Sequence, residues 1–104
     1  MFTRNVIMNL RPNCVNQYTE TLENEVIPLL RSQKGFQDEI SFVNQNGTEA
    51  TGISIWKSKE DADAFERTTY KKVITVLADV IKGTPEVRTG EVTNSTPHDF
   101  KRRE

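Results

Sequence analysis

The strongest constraint on the fold of this chain is the order in which strand-like and helix-like hydrophobic patterns follow each other along the sequence. Apolar and polar residues alternate, as in strands, over residues 2–10, 39–43, 50–57 and 86–93. Apolar residues recur at helical spacing over residues 15–30 and 59–82. The predicted order is strand, helix, strand, strand, helix, strand, which is the order of a ferredoxin-like α+β domain. In that fold an antiparallel four-stranded sheet carries both helices on one face.

Cap and breaker residues set the expected limits of the two helices. Asn13 is the predicted N-cap of the first helix, and Ser58, with Asp61 three residues later, is the predicted N-cap of the second. Pro28 lacks a backbone donor, so we expect a bend in the first helix. The apolar stripe of the second helix changes phase near residues 68–69, which predicts either a second bend or a division into two short helices.

The second and third strands are expected to form a hairpin, because Asn46-Gly47 is a strong signal for a tight turn. In the returning strand Ser54 and Trp56 point to the same face. Two helices can cover only one face of the sheet. We expect Trp56 to lie on the other, uncovered face, and an open face that carries a tryptophan is unfavourable in water.

A second copy of the chain would remove this problem, and we therefore expect a homodimer. A chain of 104 residues fits one domain and buries about 60–70% of its unfolded surface, so pairing would add useful burial. We assign residues 1–94 to the domain and residues 95–104 to a polar C-terminal tail.

Composition argues against several classes of function. Fourteen basic and fifteen acidic residues give a net charge of -1, which does not suit a nucleic-acid-binding surface. Cys14 is the single cysteine, so neither an intrachain disulfide nor a cysteine metal cage can form. Residues 1–9 alternate in polarity and resemble neither a secretion signal nor a membrane span. We expect a cytoplasmic protein without membrane or nucleic-acid partners.

Three stretches carry a resemblance to a known family. Residues 26–30 (Val-Ile-Pro-Leu-Leu), 34–36 (Lys-Gly-Phe) and 53–62 (Ile-Ser-Ile-Trp-Lys-Ser-Lys-Glu-Asp-Ala) are similar to the antibiotic biosynthesis monooxygenase domain family. The resemblance covers residues 2–92. It implies that two protomers pack their sheets face to face as a dimeric α+β barrel. It also implies that each protomer has a cavity between its sheet and its helices or loops.

The haem-degrading members of that family are a poor match. They place an asparagine in the first strand, a tryptophan early in the second helix and a haem-ligating histidine later in it. Asn5 fits the first position, whereas Phe65 and Thr75 stand at the other two, and the single histidine, His98, lies in the tail. Haem would lack its usual axial imidazole. No G-x-G-x-x-G fingerprint for flavin or nicotinamide is present either, and we expect no cofactor.

The aromatic-polyketide oxygenases of the family match in part. They place an asparagine four residues before a tryptophan in the third strand, and a tyrosine one or two turns after it. Trp56 fits, but Gly52 and the region of Ala62 stand at the other positions. The resemblance implies a reaction in which a deprotonated phenol or dihydroquinone itself reduces oxygen. The protein then needs only a dry pocket, a hydrogen bond to the anion and a route for oxygen.

Four residues are candidates for a catalytic role. Asn5 and Asn9 share a face of the first strand, where their amides would orient a phenolate oxygen or simply lie in solvent. Trp56 would stack on a planar substrate, or pack with its N–H on a polar neighbour. Tyr70 follows the bend in the second helix, so its hydroxyl reaches a cavity or stays in water.

Substrate contacts are predicted for Trp56 together with Phe65 and Ser54. Ser54 has no histidine or lysine base near it in the sequence, so we interpret it as a small lining residue and not as a nucleophile. Asp38 and Glu39 begin a strand and are predicted to lie in solvent. Glu91 is the carboxylate expected to face the barrel interior, where burial would raise its pKa and make it a candidate base.

Two functions remain open at this point. The first is a cofactor-independent monooxygenase that acts on a small aromatic phenol or quinol with molecular oxygen. The alternative is a non-catalytic dimeric module of the same fold that binds a small ligand or has a structural role.

Overall fold

Strands and helices follow each other in the predicted order in the computed structural model, which describes residues 1–96. The strands are β1 Phe2–Leu10, β2 Phe36–Val43, β3 Glu49–Trp56 and β4 Ile81–Glu91. The helices are α1 Val15–Thr21, α2 Ile27–Arg31, α3 Lys59–Thr68 and α4 Tyr70–Leu77, with a π-helical turn at Leu22–Val26. Most of the predicted tail, including His98, lies outside the described residues.

The sheet has the strand order β2-β3-β1-β4, and all neighbouring strands are antiparallel. Both helical segments pack on the same face, so the ferredoxin-like α+β fold is confirmed. Phe2 lies opposite Trp56 and Arg4 opposite Ser54, which means that these four side chains point to the helices. A hairpin joins β2 to β3 as predicted, but through a loop over residues 44–48 and not a two-residue turn: the Gly47 N–H donates to the carbonyl oxygen of Asn44 at 3.0 Å, and Gly47 alone takes a positive φ, of 69°.

The pairing of β2 with β3 contains a bulge near its start. Phe36 lies opposite Trp56, but Asp38 and not Gln37 lies opposite Ile55. Gln37 is thus one residue more than the pairing needs, and β2 changes its alternation there. The pairing of β1 with β4 shifts between Ile7 and Asn9.

The first helical segment bends as predicted, but by a different device from a simple proline kink. The backbone N–H of Ile27 donates to the carbonyl oxygen of Leu22, one residue further back than in an α-helix. Pro28 follows at the start of α2, where its missing donor matters least. The predicted N-cap was wrong: Cys14 holds that position, and Asn13 lies in the left-handed region with φ 61°.

The second helical segment agrees more closely with the prediction. The Ser58 hydroxyl accepts a hydrogen bond from the Asp61 N–H at 3.2 Å, as expected for the N-cap. The chain breaks at Thr69 into α3 and α4, which confirms the predicted bend. However, α4 ends at Leu77 and β4 already begins at Ile81, so the last strand starts five residues earlier than predicted.

Trp56 lies on the helix-covered face with 0% exposure, and its predicted place on the open face was wrong. The residues that share its face include Ala50 and Gly52, which are small. Small residues on the sheet leave room for the indole under the helices. The open face instead carries Ile40 and Phe42, which are 46% and 55% exposed.

No helix within residues 1–96 combines the length and the apolar character that crossing a membrane would require.

Candidate functional site

A cavity of about 50 Å³ lies between the helix-covered face of the sheet and the helices, partly open to the surface. Most of its wall is apolar, and these side chains come from β1, the helices and the π-helical turn: Val6, Met8, Leu22, Val26, Leu30, Phe65, Val73, Ile74 and Leu77. The polar side chains of the wall are Arg4, Tyr18, Glu39, Ser54 and Tyr70. An apolar pocket with a few converging polar groups is the usual form of a small-molecule site.

The size of the cavity limits what it can hold. A buried cavity that binds benzene measures about 150 Å³, roughly three times as much. A single aromatic ring therefore exceeds the enclosed space and has to use the open side of the cavity as well. Larger polycyclic compounds would need movement of the surrounding helices.

Arg4 is the most unusual residue of the wall, because it is only 2% exposed. Its Nη2 donates to Glu66 Oε1 on α3 at 2.7 Å, and Glu66 itself is 57% exposed. The guanidinium carbon lies 4.5 Å from the centre of the Tyr70 ring and 5.3 Å from that of Phe65. These contacts hold a cation against aromatic faces at the edge of the cavity.

Sequence reasoning missed Arg4, although a signal was present. Arg4 occupies the same alternation as Phe2, Val6 and Met8, which are all apolar. A charged residue in the buried phase of a strand needs a partner or a role. That observation alone would have identified Arg4 as a candidate.

Glu39 also lines the cavity, so its predicted position in solvent was wrong. The bulge at Gln37 puts Glu39 opposite Ser54, on the helix-covered face. Burial, followed by the negative charge of Asp38, raises the pKa of Glu39 from 4.5 to about 7. Its Oε2 is buried without a hydrogen-bond partner. Glu39 can therefore exchange a proton near neutral pH.

Two tyrosines complete the polar wall. The Tyr18 hydroxyl is paired with Ser41 Oγ at 2.7 Å, and burial raises the pKa of Tyr18. Tyr70 begins α4 and lines the cavity, which is one of the two predicted alternatives for its position. Burial also raises the pKa of Tyr70, against the opposing effect of the Arg4 charge. Both phenols are neutral at physiological pH.

Trp56 lies behind this wall rather than on it. Its indole packs between Phe36, at 5.7 Å between ring centres, and Phe65, at 5.0 Å. The indole N–H donates to Ser54 Oγ at 2.8 Å. Trp56 thus packs with its N–H on a polar neighbour and supports Phe65, which faces the cavity. Ser54 and Phe65 line the cavity, and a direct contact of either with a substrate stays a prediction.

Asn5, Asn9 and Glu91 lie away from the cavity. Asn5 and Asn9 alternate with the helix-facing residues of β1 and therefore point to the open face of the sheet. Asn5 is half-buried there, its Oδ1 without a hydrogen-bond partner, whereas Asn9 is exposed. Glu91 is exposed at the end of β4 and does not line the cavity. The described part of the chain contains no group of three His, Cys, Asp or Glu residues that could hold a metal ion.

Comparison with solved structures finds the same fold at low sequence identity. SnoaB, a cofactor-independent oxygenase from Streptomyces nogalater, superposes with a TM-score of 0.70 at 13% identity, over 92% of this chain and 96% of its own. A protein from Bordetella bronchiseptica provisionally named an antibiotic biosynthesis monooxygenase gives 0.75 at 9% identity, over 89% and 97%. A conserved protein from Methanosarcina mazei gives 0.68 at 17% identity, over 86% and 91%. No protein-family model and no curated protein matches the sequence.

Proposed function

We propose that this protein is a cofactor-independent monooxygenase of the antibiotic biosynthesis monooxygenase type, and that it acts on a small phenol in the cavity above the sheet. The observation that carries the proposal is the buried guanidinium of Arg4 at the wall of an apolar, partly open cavity. The shared fold with a named cofactor-independent oxygenase supports it. We also place the protein in the cytoplasm, where its single thiol, Cys14, stays reduced.

The chemistry requires little from the protein. A phenol loses its proton, and the phenolate gives one electron to oxygen, which forms superoxide and a phenoxyl radical. The two recombine at the ring carbon para to the oxygen, and loss of water leaves a quinone. In total, one phenol and one oxygen molecule give one p-quinone and one water.

The residues of the cavity suit two parts of this sequence. Apolar side chains exclude water and leave space for oxygen, which prefers an apolar medium. Arg4 supplies a fixed positive charge where oxygen becomes negative, and its interaction is strong because the surroundings are apolar. Tyr70 and Phe65 hold the guanidinium in place by their ring faces. Trp56 acts only through Phe65 and is not a catalytic residue in this proposal.

Oxygen uptake with a panel of single-ring phenols, naphthols and anthrones tests the proposal. We expect uptake by the wild type, and a decrease of about 100-fold in Arg4→Met, as for the loss of one oxyanion-stabilising donor. Arg4→Lys keeps the charge without the planar fork and should retain part of the activity. Arg31→Met, at an exposed side chain at the end of α2 that does not line the cavity, is the matched control and should be fully active. Wild-type protein that consumes no oxygen with any compound would refute the oxygenase.

We further propose that two copies associate through the open face of the sheet. Ile40 and Phe42 lie two residues apart on β2, so their exposed side chains are neighbours on the open face. Together they form an apolar patch, which is unfavourable in water and suits a contact with a second copy. Ile53 lies opposite Ile40 and extends the apolar patch toward the centre of the sheet. The unpartnered Asn5 Oδ1 is on the same face and would find a donor from the second copy.

The small volume of the cavity favours a second candidate function, a dimeric module that binds a small ligand without turnover. A space of about 50 Å³ admits a fragment of a ring more easily than a reacting complex with oxygen. Calorimetric binding of phenols without any oxygen uptake would support this alternative against the oxygenase.

A further inference from the structure

We propose that Glu39 is the catalytic base of this cavity, and that it selects neutral phenols by accepting the proton of a hydroxyl directed toward β2. The inference rests on the proposed function for the phenol as ligand, and it adds the residue and the orientation. The ring then lies across the sheet, with its hydroxyl at Glu39 and its far edge at Arg4.

The register of three strands places these two groups at opposite sides of the part of the cavity that lies above Ser54, and a ring bound there also uses the open side of the cavity. Glu39 on β2 and Arg4 on β1 both lie opposite Ser54 on β3, and all three face the helices. Adjacent strands are about 4.8 Å apart, so the Cα atoms of Glu39 and Arg4 are separated by about 10 Å. Their long side chains enclose the floor above Ser54.

Ser54 does not compete for the ligand. Its hydroxyl accepts the indole N–H of Trp56 at 2.8 Å and lies 3.5 Å from the carbonyl oxygen of Arg4, to which it donates. The floor between the two charged groups is therefore already satisfied. A bound phenol finds its polar partners at the two sides, which fixes the direction of the ring.

Glu39 has an acceptor available for this purpose. Its Oε2 is buried with no hydrogen-bond partner, which is a costly arrangement for a carboxylate. A phenol hydroxyl would supply the missing donor. In the proton transfer the phenol O–H bond breaks, a carboxyl O–H bond forms on Glu39, and the electron pair stays on the phenolate oxygen.

Among the residues that line the cavity, Glu39 is the only suitable base, because the other titratable side chains hold their protons. Asp38, next to it on β2, raises the pKa of Glu39 by charge repulsion, after the larger effect of burial. Tyr18 on α1 is hydrogen-bonded to Ser41, and its raised pKa keeps it protonated. Tyr70 on α4 is also protonated, and Arg4 is always a cation. A pKa of about 7 suits a base at neutral pH.

Binding of 4-methoxyphenol under nitrogen tests the inference without turnover, because the proposed reaction needs oxygen. Calorimetry between about pH 5.5 and about pH 8.5 brackets the pKa of about 7, while the phenol, with a pKa near 10, stays neutral. We expect the affinity of the wild type to rise about tenfold over this range, with its midpoint near 7. The methyl ether 1,4-dimethoxybenzene has no proton to give and should bind independently of pH.

Two variants complete the design. Glu39→Gln keeps the shape of the side chain and should bind 4-methoxyphenol at every pH as weakly as the wild type does at the acidic end. Glu20→Gln, at an exposed carboxylate on α1 away from both the cavity and the open face, should behave as the wild type. Circular dichroism and thermal unfolding verify that both variants are folded, so a loss of binding can be assigned to the carboxylate.

The outcomes separate this inference from the oxygenase. Equal, pH-independent affinities of wild type and Glu39→Gln would overturn the role of Glu39, even if oxygen uptake were found. Binding with the expected pH dependence but without oxygen uptake for any phenol would support Glu39 and refute the oxygenase. If neither compound bound to the wild type, the role of Glu39 would be wrong, and oxygen uptake with the whole panel would decide the oxygenase separately.

Discussion

Replacement of Glu39 by glutamine should make the protein more stable above neutral pH and change little below pH 5. The folded-state pKa of Glu39 is about 7, whereas the unperturbed value is 4.5. The folded protein therefore binds this proton more tightly than the unfolded chain does. The favourable contribution is fully present below pH 4.5 and is lost as the pH rises through 7. A glutamine stays neutral throughout and avoids the loss.

The size of the effect follows from the same two pKa values. A difference from 4.5 to about 7, at about 1.4 kcal/mol per pH unit, gives a ceiling of about 3.5 kcal/mol. The carboxylate is only half-buried, and solvent screens part of its cost. We therefore expect Glu39→Gln to exceed the wild type in free energy of unfolding by about 1–2 kcal/mol at pH 8.5.

Urea unfolding followed by the fluorescence of Trp56 measures this difference. Wild type, Glu39→Gln and Glu20→Gln are compared at pH 5 and pH 8.5, at one protein concentration, because any dimer makes stability depend on concentration. Only the difference between wild type and variant counts, since other groups titrate over the same range. If the free energies of unfolding of Glu39→Gln and the wild type differed by the same amount at pH 5 and at pH 8.5, the carboxylate of Glu39 would not be buried.

Four further changes test other parts of the structure. Trp56→Phe should cost about 1–3 kcal/mol in urea unfolding followed by circular dichroism, because it leaves a void and removes the hydrogen bond of the indole; an unchanged midpoint would contradict full burial. Gly35→Ala should destabilise by more than about 2 kcal/mol, since its Cβ would overlap the Asp61 carboxylate in addition to the cost of φ 80°. Gly83→Ala, at φ 73° with open space around it, should show only the backbone cost of about 1–2 kcal/mol, and equal losses for the two alanines would disprove the clash. Phe42→Asp should convert a dimer into a monomer in analytical ultracentrifugation without unfolding it, and a variant that still sediments as a dimer would exclude this face as the interface.

The sequence was sufficient to predict the fold, because its signals are local. Alternation, helical spacing, the Asn46-Gly47 turn and the Ser58 cap each act within a few residues. The bend at Thr69 was visible for the same reason, as a change of phase in one stripe. The π-helical turn was not visible, since Pro28 predicts an irregularity in the helix but not its backbone geometry.

The face on which each strand residue lies could not be predicted as well. Alternation separates Ser54 and Trp56 from Ile53 correctly, but it does not say which set meets the helices. In β3 the isoleucines look more like core residues than the small ones do, yet the helices pack on Gly52 and leave space for Trp56. Tertiary packing decided the choice.

The basic residue Arg4 and the acidic residue Glu39 of the site illustrate this limit. Arg4 was recognisable in principle, because it interrupts an apolar phase. Glu39 was not, because simple alternation from Phe36 turns it outward, and only the irregular pairing at Gln37 turns it toward Ser54. No local feature of the sequence announces that irregularity.

The extra residue in β2 also divides the strand into two parts with different tolerance to changes in length. Deletion of Gln37 would leave a regular ladder in which Glu39 keeps its partner, so relatives one residue shorter at this point should retain the same inner acid. One residue gained or lost between Glu39 and Val43 would instead turn the whole segment over. Ile40 and Phe42 would then be driven toward the helices and the carboxylate toward water. Length variation among homologues should therefore gather on one side of Glu39 and be absent from the other.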